Sequence, residues 1–181
     1  MKQAKRTFTG AFLAEARKSL GLHHLPRIVH CLEMLTDEQI WWRPNEASNS
    51  IGNMVLHLSG NVRQWIISGL GGEPDRRERD KEFAEHGPIP RSELVNKLQK
   101  TVREACRVIS RLTPRELAKP RVIQKFNVTG FIAINHVAEH FAFHSGQILY
   151  VTKMLRGADL GFTRLPGEKP KKPVAKKLPQ V

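Results

Sequence analysis

Cysteine is scarce in this 181-residue chain: Cys31 and Cys106 stand far apart and outside any recognisable motif. That excludes a disulfide framework and a cysteine-based metal or redox centre. It predicts two thiols buried as small apolar groups in a reducing compartment. No apolar run approaches the roughly 18 residues that a membrane span needs, so no membrane association is expected. The N-terminus carries Lys2, Lys5 and Arg6 with no apolar signal core behind them, which predicts a cytoplasmic protein. Internal repeats are also missing, as is any convincing run of alternating apolar and polar residues. The one extended candidate, Val122 to Val128, is too short to change the fold class.

What is there is a core. Hydrophobic residues make up 40% of the chain and are spread along most of its length, enough for one globular domain. A net charge of +13 first points to nucleic acid. Its distribution weakens that reading. Much of the excess lies in the N-terminal lysines and arginine and in 164–181, where Arg164, Lys169, Lys171, Lys172, Lys176 and Lys177 face only Glu168. The rest is mildly basic, and nucleic acid is not expected as a partner of the folded part. The proline- and lysine-rich stretch has nothing to bury. The chain therefore divides into a domain at 1–163 and a flexible basic tail at 164–181.

Within the domain, apolar residues recur at three- and four-residue intervals over 10–35, a helical pattern that Pro26 must kink or divide. Thr36–Asp37–Glu38–Gln39 is a capping box opening a short helix that Arg43–Pro44 ends. Asn49 or Ser50 caps a second long helix over 50–69, stopped by Gly69, Gly71 and Gly72. From Gly71 to Pro90 the sequence is charged and rich in glycine and proline, which predicts a long surface connection with a helical turn near Lys81–Glu85. A third helix spans 92–112. Thr113–Pro114–Arg115–Glu116 starts another short one, and Thr129 caps a last long helix over 130–156 that Gly157 ends. Four long helices without an alternating segment predict an all-α four-helix bundle with extra short helices.

On the last helix His136, His140 and His144 follow one another at i, i+4 and i+8, within an arc of roughly 80°. Ala133, Val137, Ile148, Val151, Met154 and Leu155 all fall within about 80° of His140, while Asn135, Glu139, Ser145 and Lys153 fall on the opposite side. All three imidazoles are thus expected to point into the bundle, where they need partners. On the second helix His57 sits at the edge of the face formed by Ile51, Met54, Leu58, Val62 and Trp65, with Asn61 one turn on. A pair of histidines four apart plus one from a neighbouring helix is a common way to bind a divalent ion. A single buried histidine is more often an ordinary hydrogen-bonded residue, and His23, His24, His30 and His86 are read so. Trp65 is read as core, and Trp41 and Trp42 as packing at the bundle end.

Asn135–His136–Val137–Ala138–Glu139–His140–Phe141–Ala142–Phe143–His144–Ser145–Gly146–Gln147–Ile148 resembles the last-helix signature of the DinB-like (YfiT-like) superfamily. Asn49–Ser50–Ile51–Gly52–Asn53–Met54–Val55–Leu56–His57–Leu58 is similar to its second-helix motif, and Trp42–Arg43–Pro44 fits as well. The resemblance extends over most of the chain except the tail. It implies a four-helix bundle with a three-histidine site for one divalent ion, usually zinc or nickel, and selects His57, His140 and His144 as ligands. His136 then stands beside the triad, with Asn61 and Gln147 as further residues able to orient an imidazole or a water. The resemblance also implies thiol-dependent S-transferase or isomerase chemistry using a low-molecular-weight thiol, or hydrolysis, on a small-molecule substrate.

Three neutral histidines leave an ion its full charge and open positions, so such a site can favour a thiolate or activate water. The readings kept are thiol transfer, hydrolysis, and a non-catalytic metal-stabilised bundle whose basic tail binds an anionic partner. No general base declares itself, since Glu139 lies on the wrong helix face. Arg63, Arg76, Arg77 and Arg79 read as a solvated charge run. Exposed helix faces make a homodimer plausible geometry, and three histidines do not choose among zinc, nickel, cobalt and iron.

Overall fold

The computed structural model describes residues 7–162 together with Gly167 and Glu168. The expected tail, 164–181, lies outside the described residues apart from those two. The chain begins with α1 (Phe8–Lys18), passes through a π-helical stretch (Ser19–His24) and continues as α2 (Leu25–Glu33). The wide turn comes just before Pro26, whose ring nitrogen has no proton to give. Leu25 N–H reaches back to the Leu20 carbonyl, so the expected break is a π segment and the rod carries on through it. Thr36 caps α3 (Asp37–Trp41) with the predicted box.

Ser50 is the cap of α4 (Ile51–Val62), and its box partner is Asn53. This helix runs on as a second π-helical stretch, Arg63–Ser68, which nothing in the sequence announces. The charged connection contains α5 (Arg79–Ala84), close to the expected turn. Then follow α6 (Arg91–Ser110), α7 (Pro114–Ala118) with its Thr113 box, and a hairpin of β1 (Pro120–Ile123) and β2 (Phe126–Thr129). Pro120 pairs with Thr129 and Ile123 with Phe126, across a two-residue turn of Gln124 and Lys125 that both take positive φ. Such a turn matches the strand twist. The last rod is α8 (Gly130–Arg156), ended by Gly157 in the left-handed conformation that an L side chain resists.

The architecture is the expected all-α bundle, with α4 and α2 each packed on α6 and α8. No described helix is long and apolar enough to cross a membrane. Two details differ from the amphipathic picture. First, α4 has no solvent face: every residue from Ile51 to Val62 except Gly60 is buried, because α3, α5, α6 and α8 surround it. Second, the buried face of α8 is carried by Ala133, Ile134, Val137, Phe141, Ser145, Ile148, Thr152 and Leu155. At about 100° per residue its centre lies roughly 80–90° away from His140. Ser145, expected outside, is therefore buried, and Met154, expected inside, is 42% exposed. The histidine stripe lies along the flank of the core face, half-buried, where α8 meets α4. Cys31 is buried as expected, whereas Cys106 is only half-buried.

Candidate metal centre

The Ser50–Asn53 box fixes where α4 starts, and His57 then falls in the middle of the helix, 6% exposed. Opposite it runs α8. His57 meets His140, and Asn61 meets His136, so the two helices are antiparallel along this seam. His57 Nε2 lies 3.1 Å from His140 Nε2. The His144 ring stands edge-on to both, at centroid distances of 5.1 and 4.5 Å. Potential ligand atoms of His57, His140 and His144 all lie within 4.8 Å of one another. The structure thus brings together the three residues that the family resemblance selected.

The donor atoms are in the right form. Burial, reinforced by His144, His57, His136 and Arg77, lowers the pKa of His140 to about 3. Burial also lowers that of His144, although a hydrogen bond to Gln147 works against it. Both rings are therefore neutral at physiological pH, with a lone pair available. Gln147 Oε1 lies 2.6 Å from His144 Nδ1, so Nδ1 carries the proton and Nε2 remains free. Nδ1 of His140 is buried without a partner.

Does a metal ion fit this donor set? Metal–nitrogen bonds of about 2.0–2.1 Å at tetrahedral angles put ligand nitrogens roughly 3.3–3.4 Å apart. The Nε2 pair at 3.1 Å is already near that spacing. Two ring nitrogens facing each other so closely need either one shared proton or a cation between them. Three imidazoles converging from two helices meet the chemistry of a divalent ion.

The remaining predicted residues separate into two groups. Gln147 contacts a member of the triad. Asn61 and His136 contact each other, with Asn61 Nδ2 3.4 Å from His136 Nε2; the His136 ring lies on Trp65 at 4.0 Å and beside the His140 ring at 5.6 Å, without a hydrogen bond to the triad. Burial lowers the His136 pKa, partly countered by Glu139. Glu139 is exposed and accepts from Asn135.

Sequence reasoning missed Glu82 and misjudged Arg77. Glu82 Oε2 lies 2.9 Å from His57 Nδ1. Arg77 grips the same carboxylate, with Nε 2.8 Å from Oε1 and Nη2 2.9 Å from Oε2, while its Nη1 donates to Gln64 Oε1 at 2.9 Å. The Arg77 side chain is 4% exposed and that of Glu82 11%, so Arg77 leaves the solvated run, whereas Arg63, Arg76 and Arg79 are exposed as expected. Burial opposes the charge on Glu82, but hydrogen bonds from Arg77 and His57 outweigh it and hold its pKa below the usual range. The one local hint was Phe83, an apolar residue in a charged stretch, which packs on His57 at 4.6 Å.

Beside the triad opens a cavity of about 340 Å³ walled by Met54, Phe83, His144, Gln147, Tyr150 and Val151 among others, with no charged residue in its lining. A second cavity of like volume, lined by both basic and acidic residues, among them Arg63, Arg77, Asp75, Glu78 and Glu82, includes none of the three histidines.

A sequence model of the family described as "Protein of unknown function (DUF1572)" matches residues 8–169. Comparison with curated proteins finds no match. Among solved structures, a DinB-like protein from Bacillus cereus ATCC 10987 is similar with a TM-score of 0.60 at 18% identity, over 82% of this chain and 92% of that one. A DinB-like protein from Bacillus subtilis gives 0.57 at 19% identity, over 83% and 95%. A conserved protein from Enterococcus faecalis gives 0.58 at 16%, over 84% and 96%. At such identities the likeness is one of fold.

Proposed function

The chain belongs to the DUF1572 family of DinB-like helical bundles, and from that premise we propose that it holds one divalent metal ion on His57, His140 and His144 and uses it for thiol-dependent transfer to a small electrophilic substrate. The observation that carries the reading is the convergence of three imidazoles, two of them held neutral by burial, at the edge of an open cavity. Zinc or nickel is the expected ion, and a low-molecular-weight thiol the expected cosubstrate.

When bound, a divalent ion supplies Lewis acidity, which stabilises a thiolate at neutral pH. The protein's own residues do the rest. His57 is oriented by Glu82, and His144 by Gln147. Met54, Phe83 and Val151 offer apolar walls against which a neutral substrate sheds water beside the triad. Transfer is favoured over hydrolysis by the family resemblance and by the apolar walls beside the triad, which suit a small electrophile better than water. A bound ion would ionise water as readily as a thiol, and among the described residues the carboxylate bonded to the triad, Glu82, has both oxygens engaged by Arg77 and adds no base for the hydrolytic route.

The test is turnover of a model electrophile, 1-chloro-2,4-dinitrobenzene, with a panel of small thiols by the metal-loaded protein. Thiol-dependent product that disappears in His57→Ala, His140→Ala and His144→Ala supports transfer. Ester hydrolysis without thiol, lost in the same variants, would replace it by the hydrolytic reading.

A further inference from the structure

The connection that carries Arg77 and Glu82 does not close on the bundle through a buried apolar helix face, since α5 has no buried residue. It is held by polar clamps. Asn53 Nδ2 donates to the carbonyls of Glu82 (2.9 Å) and Glu85 (2.8 Å), and Arg43 Nη2 donates to those of Glu85 (3.0 Å) and Phe83 (3.2 Å). These are the carbonyls that the end of a helix leaves without partners. On α4 the facing position is Gly60, where any Cβ would collide with Glu82 Oε1. Elements distant in sequence therefore converge on placing one carboxylate against His57.

A buried ion pair fastening a loop would explain the Arg77 contacts alone. It does not explain the third partner. His57 Nδ1 lies 2.9 Å from Glu82 Oε2 and 3.1 Å from Arg77 Nη2. If Nδ1 lacked a proton, its lone pair would face a carboxylate oxygen at that distance. With the proton on Nδ1 the bond to Glu82 forms, and Arg77 Nη2 still has Glu82 Oε2 as acceptor. That tautomer leaves the His57 lone pair on Nε2, the atom that faces His140.

We propose that Glu82 is a positioning residue for the metal centre: it holds His57 as the Nδ1–H tautomer with Nε2 aimed at the shared site, and Arg77 holds the Glu82 carboxylate in place. The inference rests on the reading that the triad binds a metal ion, but part of it is measurable without one.

The experiment uses the full chain. In metal-free protein labelled with ¹⁵N-histidine, long-range ¹H–¹⁵N correlation reports the His57 tautomer. The expected result is Nδ1–H in the wild type and loss of that preference in Glu82→Gln and Gly60→Ala. The second variant displaces the carboxylate without removing a polar group. Cobalt(II) affinity, read by chelator competition, is expected to fall about 10–100-fold in both variants, with a changed visible spectrum. Glu78→Gln, which loses only an exposed pair with Lys81, serves as the control. Nε2–H in the wild type, or cobalt binding by both variants within twofold of wild type with the same spectrum, overturns the proposal. A wild type that binds no cobalt defeats the metal reading, and the tautomer result then decides the positioning role alone.

Discussion

Acid should weaken the metal-free fold through His140, and the size of the effect follows from its surroundings. The ring ionises near pH 6.5 in an unfolded chain and at about 3 in the native one, where burial and its neighbours disfavour the charge. The unfolded state then binds the extra proton, so stability falls as pH drops below about 6.5 and stops falling near 3. Between pH 7.5 and pH 5 the full shift of a single such group would remove about 2 kcal/mol; the ring is only half-buried, and solvent screening cuts this to about 1 kcal/mol. His136 and His144, also lowered by burial, act in the same direction. Glu82 acts in another window: its depressed pKa makes a contribution that is full above about 4.5 and is lost only as pH falls further. The assay is urea unfolding in EDTA at pH 7.5, 6 and 5 for wild type and His140→Gln. A loss of about 1 kcal/mol is roughly a 0.5 M shift of midpoint for a urea slope near 2 kcal/mol/M. The variant should lose about 1 kcal/mol less over this range than the wild type. Equal losses in the two proteins would refute the assignment of a buried, neutral His140.

Other substitutions probe different parts of the account. Phe141, fully buried on the core face of α8, should cost about 3–5 kcal/mol when changed to Ala, read by the same unfolding assay. Replacing Lys125 by Gly, with Gln124 kept because its Oε1 accepts from the buried Trp65 Nε1, should raise stability by about 0.5–1 kcal/mol, because Lys125 holds positive φ in a tight hairpin; an unchanged or lower melting temperature would count against the turn. Gln147→Ala should weaken cobalt binding several-fold while leaving the melting temperature of the metal-free protein within a few degrees, since the residue is exposed and its side chain accepts a hydrogen bond from His144.

The bundle was legible because its helices announce their ends: Thr36, Ser50, Thr113 and Thr129 cap where expected, and Gly157 terminates α8. The rotation of α8 was not. Periodicity counts apolar residues equally, yet the small polar Ser145 and Thr152 pack inside, the latter by turning its hydroxyl to the Ile148 carbonyl. That shift moved the histidines from the core to its flank, which is what leaves them beside an open cavity. His57, His140 and His144 were found through helical spacing and family resemblance together. Arg77 and Glu82 were out of reach for a physical reason. Buried by partners from distant segments, they have no local apolar pattern to mark them, and a charged stretch in isolation looks solvated.

The central claim is that the three histidines hold one ion, and metal content tests it most directly. Full-length protein purified without a histidine tag, reconstituted with zinc and dialysed, is analysed by inductively coupled plasma mass spectrometry beside the His57→Ala, His140→Ala, His144→Ala triple variant. The account predicts close to one equivalent of divalent metal in the wild type and almost none in the variant. Equal metal content in the two proteins, or none in either, would contradict it.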